Sequence, residues 1–284
     1  MIVPLHADDV FVSDVRRTMQ RRTGVSLWWL GQSGFLVHYD GVCIAIDPYL
    51  SDSLTVKYAN TPKPHVRMTA RVVDPALLDM VSLVTSSHNH TDHLDAETIL
   101  PLWHANPHLQ VACSAANVAF AAERLRVPPV RMNGLVRGVP WQHGPFRLHV
   151  VPAAHNTREC DDAGHERFIG LVIEVGGVTI YHSGDTVYYD GMDAIVRQWP
   201  ISLALLPING NDPSRGVAGN LDGIQAASLA HSIHANLVVP CHYDMFTFNT
   251  ASPAAFCSHA THIGQAYRVL QAGERLDMNG LGAQ

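Results

Sequence analysis

Three imidazoles and one carboxylate fall within six consecutive residues, His88-Asn89-His90-Thr91-Asp92-His93. Crowded so closely, such groups gain little unless something binds them. Imidazole nitrogen and carboxylate oxygen form a donor set that borderline divalent metals such as zinc accept readily. The alternation lets His88 and His90 point to one ion while Asp92 and His93 turn toward a second. The chain has 18 histidines in all, an excess that invites a search for further ligands.

The elements that must position these groups follow from periodicity. The spacing predicts an amphipathic helix over 10–22 and strands over 26–30, 35–39 and 42–46, with tight turns at Gln32-Ser33-Gly34 and Asp40-Gly41. Residues 48–71, containing Pro62 and Pro64, read as a loop long enough to serve function or act as a lid. A short helix over 75–80, capped by Asp74, leads into a strand over 81–85, and the His-rich segment follows directly. Helices over 96–103 and 115–126 flank a strand over 109–113. Strands over 146–151, 168–175 and 178–182 come next, then a helix over 192–197. A strand over 203–208, a helix over 221–235, a strand over 237–241, a helix over 254–270 and a strand over 275–278 finish the chain. Hairpins first, then β and α alternating, imply sheets with helices outside them, not an all-β sandwich.

Length and composition set the outer bounds. With 284 residues, 47% hydrophobic and 15% charged, the chain suits a large buried core. No low-complexity linker or charge block interrupts it, so one domain over 1–284 is expected. A net charge of -6 argues against nucleic acid or an anionic membrane as the main partner. The five cysteines show no CxxC spacing, which reads as reduced thiols. Together with the absence of a signal-like start or a membrane-length apolar run, this leads to the expectation of a cytoplasmic protein. Oligomeric state stays open, a homo-oligomer included.

HxHxDH resembles the signature of the metallo-β-lactamase superfamily, and the remaining motifs of that family occur in order. Asp47 in AIDPYL, His155 in VVPAAH, Asp185 in YHSGDT and His242 in VVPCHYD each follow a strand-like run. Taken alone, His155 and His242 would be bland. The resemblance implies a four-layer αββα sandwich with two divalent metal ions, zinc or manganese. It implies that His88, His90 and His155 hold one ion, that Asp92, His93 and His242 hold the other, and that Asp185 bridges them. Asp47 would orient a ligand through hydrogen bonds. Two cations roughly 3.5–4 Å apart activate water for attack on an electrophilic carbonyl or phosphorus, with Asp92, His93 and Asp185 at the reacting centre. Cys241 sits on the strand before His242 and is expected to pack in the core.

Finer segments, WWLGQSGF, YHSGDTVYYDGM, LPINGNDPSRG and VVPCHYDMF, resemble the L-ascorbate-6-phosphate lactonase group. The expected substrate is therefore a small molecule, a sugar-acid lactone. If it carries phosphate, Arg215 is the candidate cation for it. Tyr188 and Tyr189 are candidate oxyanion donors. Asp244 and His182 are candidate supports for the metal ligands. His231 with His234, and His259 with His262, read as helix-face residues. Two rivals are a phosphodiesterase of the same fold and a non-catalytic metal-binding or sensing protein.

Overall fold

Strand-forming runs collect into two mixed sheets in the computed structural model, which describes residues 1–281. The first sheet contains β1 (Ser26–Gly31), β2 (Gly34–Tyr39), β3 (Val42–Ile46), β4 (Val81–Ser86), β5 (Gln110–Ser114) and β6 (Met132–Leu135). The second contains β7 (Trp141–His143), β8 (Phe146–Pro152), β9 (Ile169–Val175), β10 (Val178–His182), β11 (Leu203–Pro207) and β12 (Leu237–Cys241). A last strand, β13 (Arg275–Asp277), returns to the first sheet beside β1. The orders are β13-β1-β2-β3-β4-β5-β6 and β12-β11-β10-β9-β8-β7.

Each sheet joins an antiparallel region to a parallel one. In the first, β1, β2 and β3 pair as hairpins and β3 to β6 run parallel. In the second, β7 to β10 pair antiparallel and β10, β11 and β12 run parallel. Strands such as β11 are buried at every residue and read as unbroken apolar runs, as expected where both faces of a sheet are covered. Seven α-helices among the described residues complete the fold: α1 (Asp8–Met19), α2 (Ser53–Tyr58), α3 (Ala96–Ala105), α4 (Val118–Leu125), α5 (Met192–Val196), α6 (Gly223–Ser232) and α7 (Ala254–His262). The architecture is the expected αββα sandwich. One apolar cluster runs from Trp28 and Phe35 through Phe146 and Ile173 to Phe256. No helix is long and apolar enough to cross a membrane among the described residues.

Three expectations need correction. Residues 48–71 are not a plain loop: α2 forms there, and the Met68 amide donates to the Met245 carbonyl at 2.7 Å, tying the segment to the far end of the chain. The last long helix stops at His262, well before residue 270. Gly264 turns into the left-handed region there, and Ala266 and Arg268 make backbone hydrogen bonds to Val238 of β12. A sheet edge with unpaired backbone groups outcompeted further helix. Strands β6 and β7 were not anticipated, being short and interrupted by glycine or polar residues.

Candidate metal centre

The site forms where strands end. Asp47 follows β3, the His88–His93 segment follows β4, His155 follows β8, Asp185 follows β10 and His242 follows β12. Parallel strands with their crossovers carry several carboxyl ends to one edge, where loops can converge. Donor atoms of His88, His90 and His155 lie within 4.8 Å of one another, as do those of His88, His93 and Asp185 and those of Asp92, His93 and His242.

Asp185 stands between these groups. Its Oδ1 is 3.4 Å from His93 Nε2, and its Oδ2 is 3.4 Å from His242 Nε2 and 3.8 Å from His155 Nε2. The Ser183-Gly184 turn that presents it admits only glycine. Gly184 has φ +61°, and a Cβ there would meet the Ile169 carbonyl oxygen at 2.6 Å and Ser87 Cβ at 2.8 Å.

Hydrogen bonds select the nitrogen that each imidazole offers. His93 Nδ1 bonds Asp47 at 2.6 Å and His155 Nδ1 bonds the Gly219 carbonyl at 2.9 Å, leaving both Nε2 atoms for the centre. Ser87 holds Asp47 in turn, its amide donating to Oδ1 at 2.8 Å, while its hydroxyl lies 3.0 Å from His88 Nδ1. Asp47 and His242 adopt φ of +43° and +61° despite carrying side chains. Such backbone persists only where surroundings impose it, and it clusters at functional sites.

Charge is divided unevenly. Burial holds His88 well below the ordinary imidazole value, and holds His90 and His155 below it. Burial acts against the charged form of His93 too, but Asp185, Asp92 and Asp47 outweigh it and raise His93 well above that value. Asp185 and Asp92 likewise overcome burial and raise His242. His93 and His242 in turn overcome burial to hold Asp185 well below, and Asp92 below, the usual carboxylate range.

The buried atoms His88 Nε2, His93 Nε2 and Asp185 Oδ1 have no hydrogen-bond partner. Unsatisfied buried polar atoms are costly and rare. Three of them converging among imidazoles and carboxylates fit a bound divalent metal.

Other expected site residues fall elsewhere. His182 is buried, its Nε2 2.9 Å from the Ser33 carbonyl and its Nδ1 accepting from the Gly184 amide at 3.2 Å. It braces the turn before Asp185 and makes no hydrogen bond to a candidate ligand's side chain. Asp244 makes no hydrogen bond to His242 among the described residues; its backbone amide bonds Thr250 Oγ1 at 2.9 Å. Tyr188 is exposed, its hydroxyl 3.4 Å from Asp193. The Tyr189 hydroxyl donates to the Pro152 carbonyl at 2.8 Å. Arg215 does not line the cavity: its Nη1 donates to the Asn209 carbonyl and to Asn249 Oδ1, both at 2.8 Å, and its Nε lies 3.6 Å from Asp212 Oδ2, so it ties its own loop to the segment after β12. Cys241 is buried, and burial pushes its thiol well up, away from nucleophilic use.

Other residues were missed in the sequence. Gln32, buried and at φ +51°, donates its amide to Asp92 Oδ2 at 2.8 Å and lies 3.1 Å from His242 Nε2. Its turn was recognisable, but the inward direction of its side chain was not. Arg124 Nη1 donates to the carbonyls of Asn89 and Leu94 at 2.6 and 3.0 Å, clamping the His-rich segment. A cavity of about 330 Å³ opens over the centre, reaching from His90, Asp92 and Asp185 to a wall of Leu54, Tyr58, His65, Phe246 and Phe248.

Comparison with known proteins agrees with this geometry. A family model described as a beta-lactamase superfamily domain matches residues 44–243. A metal-dependent hydrolase of the UPF0173 group from Opitutus terrae is 29% identical over 259 residues, spanning 89% of this chain and 99% of the relative. Another, from Hyperthermus butylicus, is 28% identical over 228 residues, spanning 79% and 86%. Among solved structures, the metallo hydrolase Igni18 of Ignicoccus hospitalis shares 26% identity with TM-score 0.64, over 90% of this chain and 98% of that one. The chain belongs to the beta-lactamase superfamily domain family and is a metal-dependent hydrolase with the metallo-β-lactamase fold.

Proposed function

We propose that this hydrolase opens the lactone ring of a sugar acid, of the L-ascorbate 6-phosphate kind, with two divalent cations, zinc or manganese, in the His/Asp cluster. The observation that carries the reading is the convergence of unpartnered buried donors on Asp185 beneath an open cavity. His88, His90 and His155 would hold one cation, Asp92, His93 and His242 the other, and Asp185 both. Bound there, the cations supply Lewis acidity and make water acidic enough to attack near neutral pH. Asp92, held ionised and lining the cavity, orients the attacking water, accepts its proton and passes it to the departing ring oxygen. Gln32 steadies Asp92 in that role through the 2.8 Å hydrogen bond.

The lactone class is supported by the four segments that resemble those of the L-ascorbate-6-phosphate lactonase group, and by a cavity of about 330 Å³ that suits a small molecule. The acidic net charge favours it over nucleic-acid phosphodiesters. The same reading holds residues 1–284 to be one catalytic domain acting in the cytoplasm on a small substrate.

The test is hydrolysis of a mixed panel by metal-supplemented protein: sugar-acid lactones, acyl-homoserine lactones, phosphodiesters and a β-lactam. His90→Ala serves as the control. Lactone turnover that vanishes in the variant is expected. Turnover confined to phosphodiesters sinks the lactone assignment, and bound metal without any turnover favours the sensing alternative.

A further inference from the structure

Of the 19 lysines and arginines in the chain, only Lys57 and Lys63 are lysines. Both line the cavity above the His/Asp cluster, one at the end of α2 and one just beyond it. Neither ammonium is spent on a carboxylate among the described residues. Lys57 Nζ reaches Thr91 Oγ1 at 3.4 Å, and Lys63 Nζ donates to the Gly216 carbonyl. Each contact uses one of three N–H donors and leaves the charge uncompensated. The carboxylates that line the same cavity are Asp92 and Asp185, which belong to the cluster at its floor.

We infer that Lys57 and Lys63 form an anion subsite at the cavity mouth that receives a phosphoryl group of the substrate, away from the bond that is cleaved. The inference rests on the reading of this cavity as the substrate cavity, and it moves the phosphate contact from Arg215 to Lys57 and Lys63, the second of which meets the Arg215 loop at Gly216. An ammonium is a compact point charge that binds phosphate without demanding one orientation. Two on one mobile-stemmed wall suit a dianion at the end of a small, variable substrate. Thr91, beside Asp92, adds a hydroxyl between subsite and floor.

The lysine count makes the test direct. Reductive dimethylation with ¹³C-formaldehyde keeps each lysine charged and places one NMR signal on each. Lys57→Met and Lys63→Met assign the signals by their loss while retaining an apolar stem. D-glucose 6-phosphate, which has no lactone, is titrated into the metal-loaded protein, with D-glucose and sodium chloride of matched ionic strength as controls. Saturable shifts of both signals with the phosphate alone are expected, and each variant should weaken binding about tenfold. Shifts that merely follow ionic strength, or that glucose reproduces, overturn the subsite. So does an unchanged Kd in both variants, which would put the phosphate on the metals. Because nothing in this readout depends on turnover, failure of the lactone reading would show separately, in the hydrolysis panel.

Discussion

Under the proposed assignment His88, His90 and His155 would hold one cation and Asp92, His93 and His242 the other, and these two halves handle charge in opposite ways. In the first half, burial drives the imidazoles toward their neutral form. Their orienting partners are neutral as well, a Ser87 hydroxyl and the Gly219 carbonyl. In the second half, carboxylates outnumber what burial can oppose, and His93 and His242 are drawn toward the protonated form. Protons there do part of the work of a cation. A metal ligand must be deprotonated before it binds. The first half is therefore ready for a cation, whereas the second must release protons to receive one.

The largest effect should come from Asp185→Asn, since under the proposal that carboxylate serves both halves. Metal content should fall for both binding steps, and hydrolysis should drop on the order of a thousandfold. Elemental analysis showing one equivalent retained at wild-type affinity would break the idea that Asp185 bridges them. Gln32→Leu should act on one half only. It removes a hydrogen bond to Asp92 and a neighbour of His242, so the second binding step should weaken roughly tenfold or more while the first is unmoved. Competition against a chelator distinguishes the two, and equal weakening of both steps would count against the division.

The protonation contrast has its own measurement. Calorimetric metal titration at neutral pH, repeated in buffers of different ionisation enthalpy, should show proton release on the second step and little on the first. The sign follows from the raised histidines: protons are bound until the cation displaces them, so affinity at that step rises with pH. Above the ordinary histidine value of 6.5 the first step should be nearly flat. Proton release confined to the first step would reverse the assignment.

His182 lies outside both halves and should give the smallest change. Burial lowers its proton affinity, so its contribution to stability is complete above 6.5, where it is neutral folded or unfolded. As pH falls below that value the unfolded chain takes up a proton first, and the contribution shrinks. His182→Phe should cost about 1–3 kcal/mol by leaving the Ser33 carbonyl and Gly184 amide unpaired. Urea unfolding should show the gap from wild type narrowing between about pH 7.5 and about pH 5. A constant gap would mean that His182 is not held neutral.

Legibility followed locality. The α/β class was readable because buried strands and amphipathic helices announce themselves over a few residues. The His88–His93 segment was readable because its donors are neighbours in sequence. His155 and His242 acquired meaning only through a family pattern, since a lone histidine after a strand resembles any other. The end of α7 was misplaced because sheet pairing by Ala266 and Arg268 overrode a helical pattern.

By itself, then, the amino-acid order determined which donor atoms the chain owns and that they would follow strands. Only the tertiary structure decided which of them meet. Arg215, suited by type to phosphate, is held by Asn209 and Asn249 outside the cavity lining, whereas Lys57 and Lys63, unremarked in sequence, come to line the cavity. The reason is physical: residue type sets what a side chain can bind, but partners brought from distant segments decide whether that capacity is already spent.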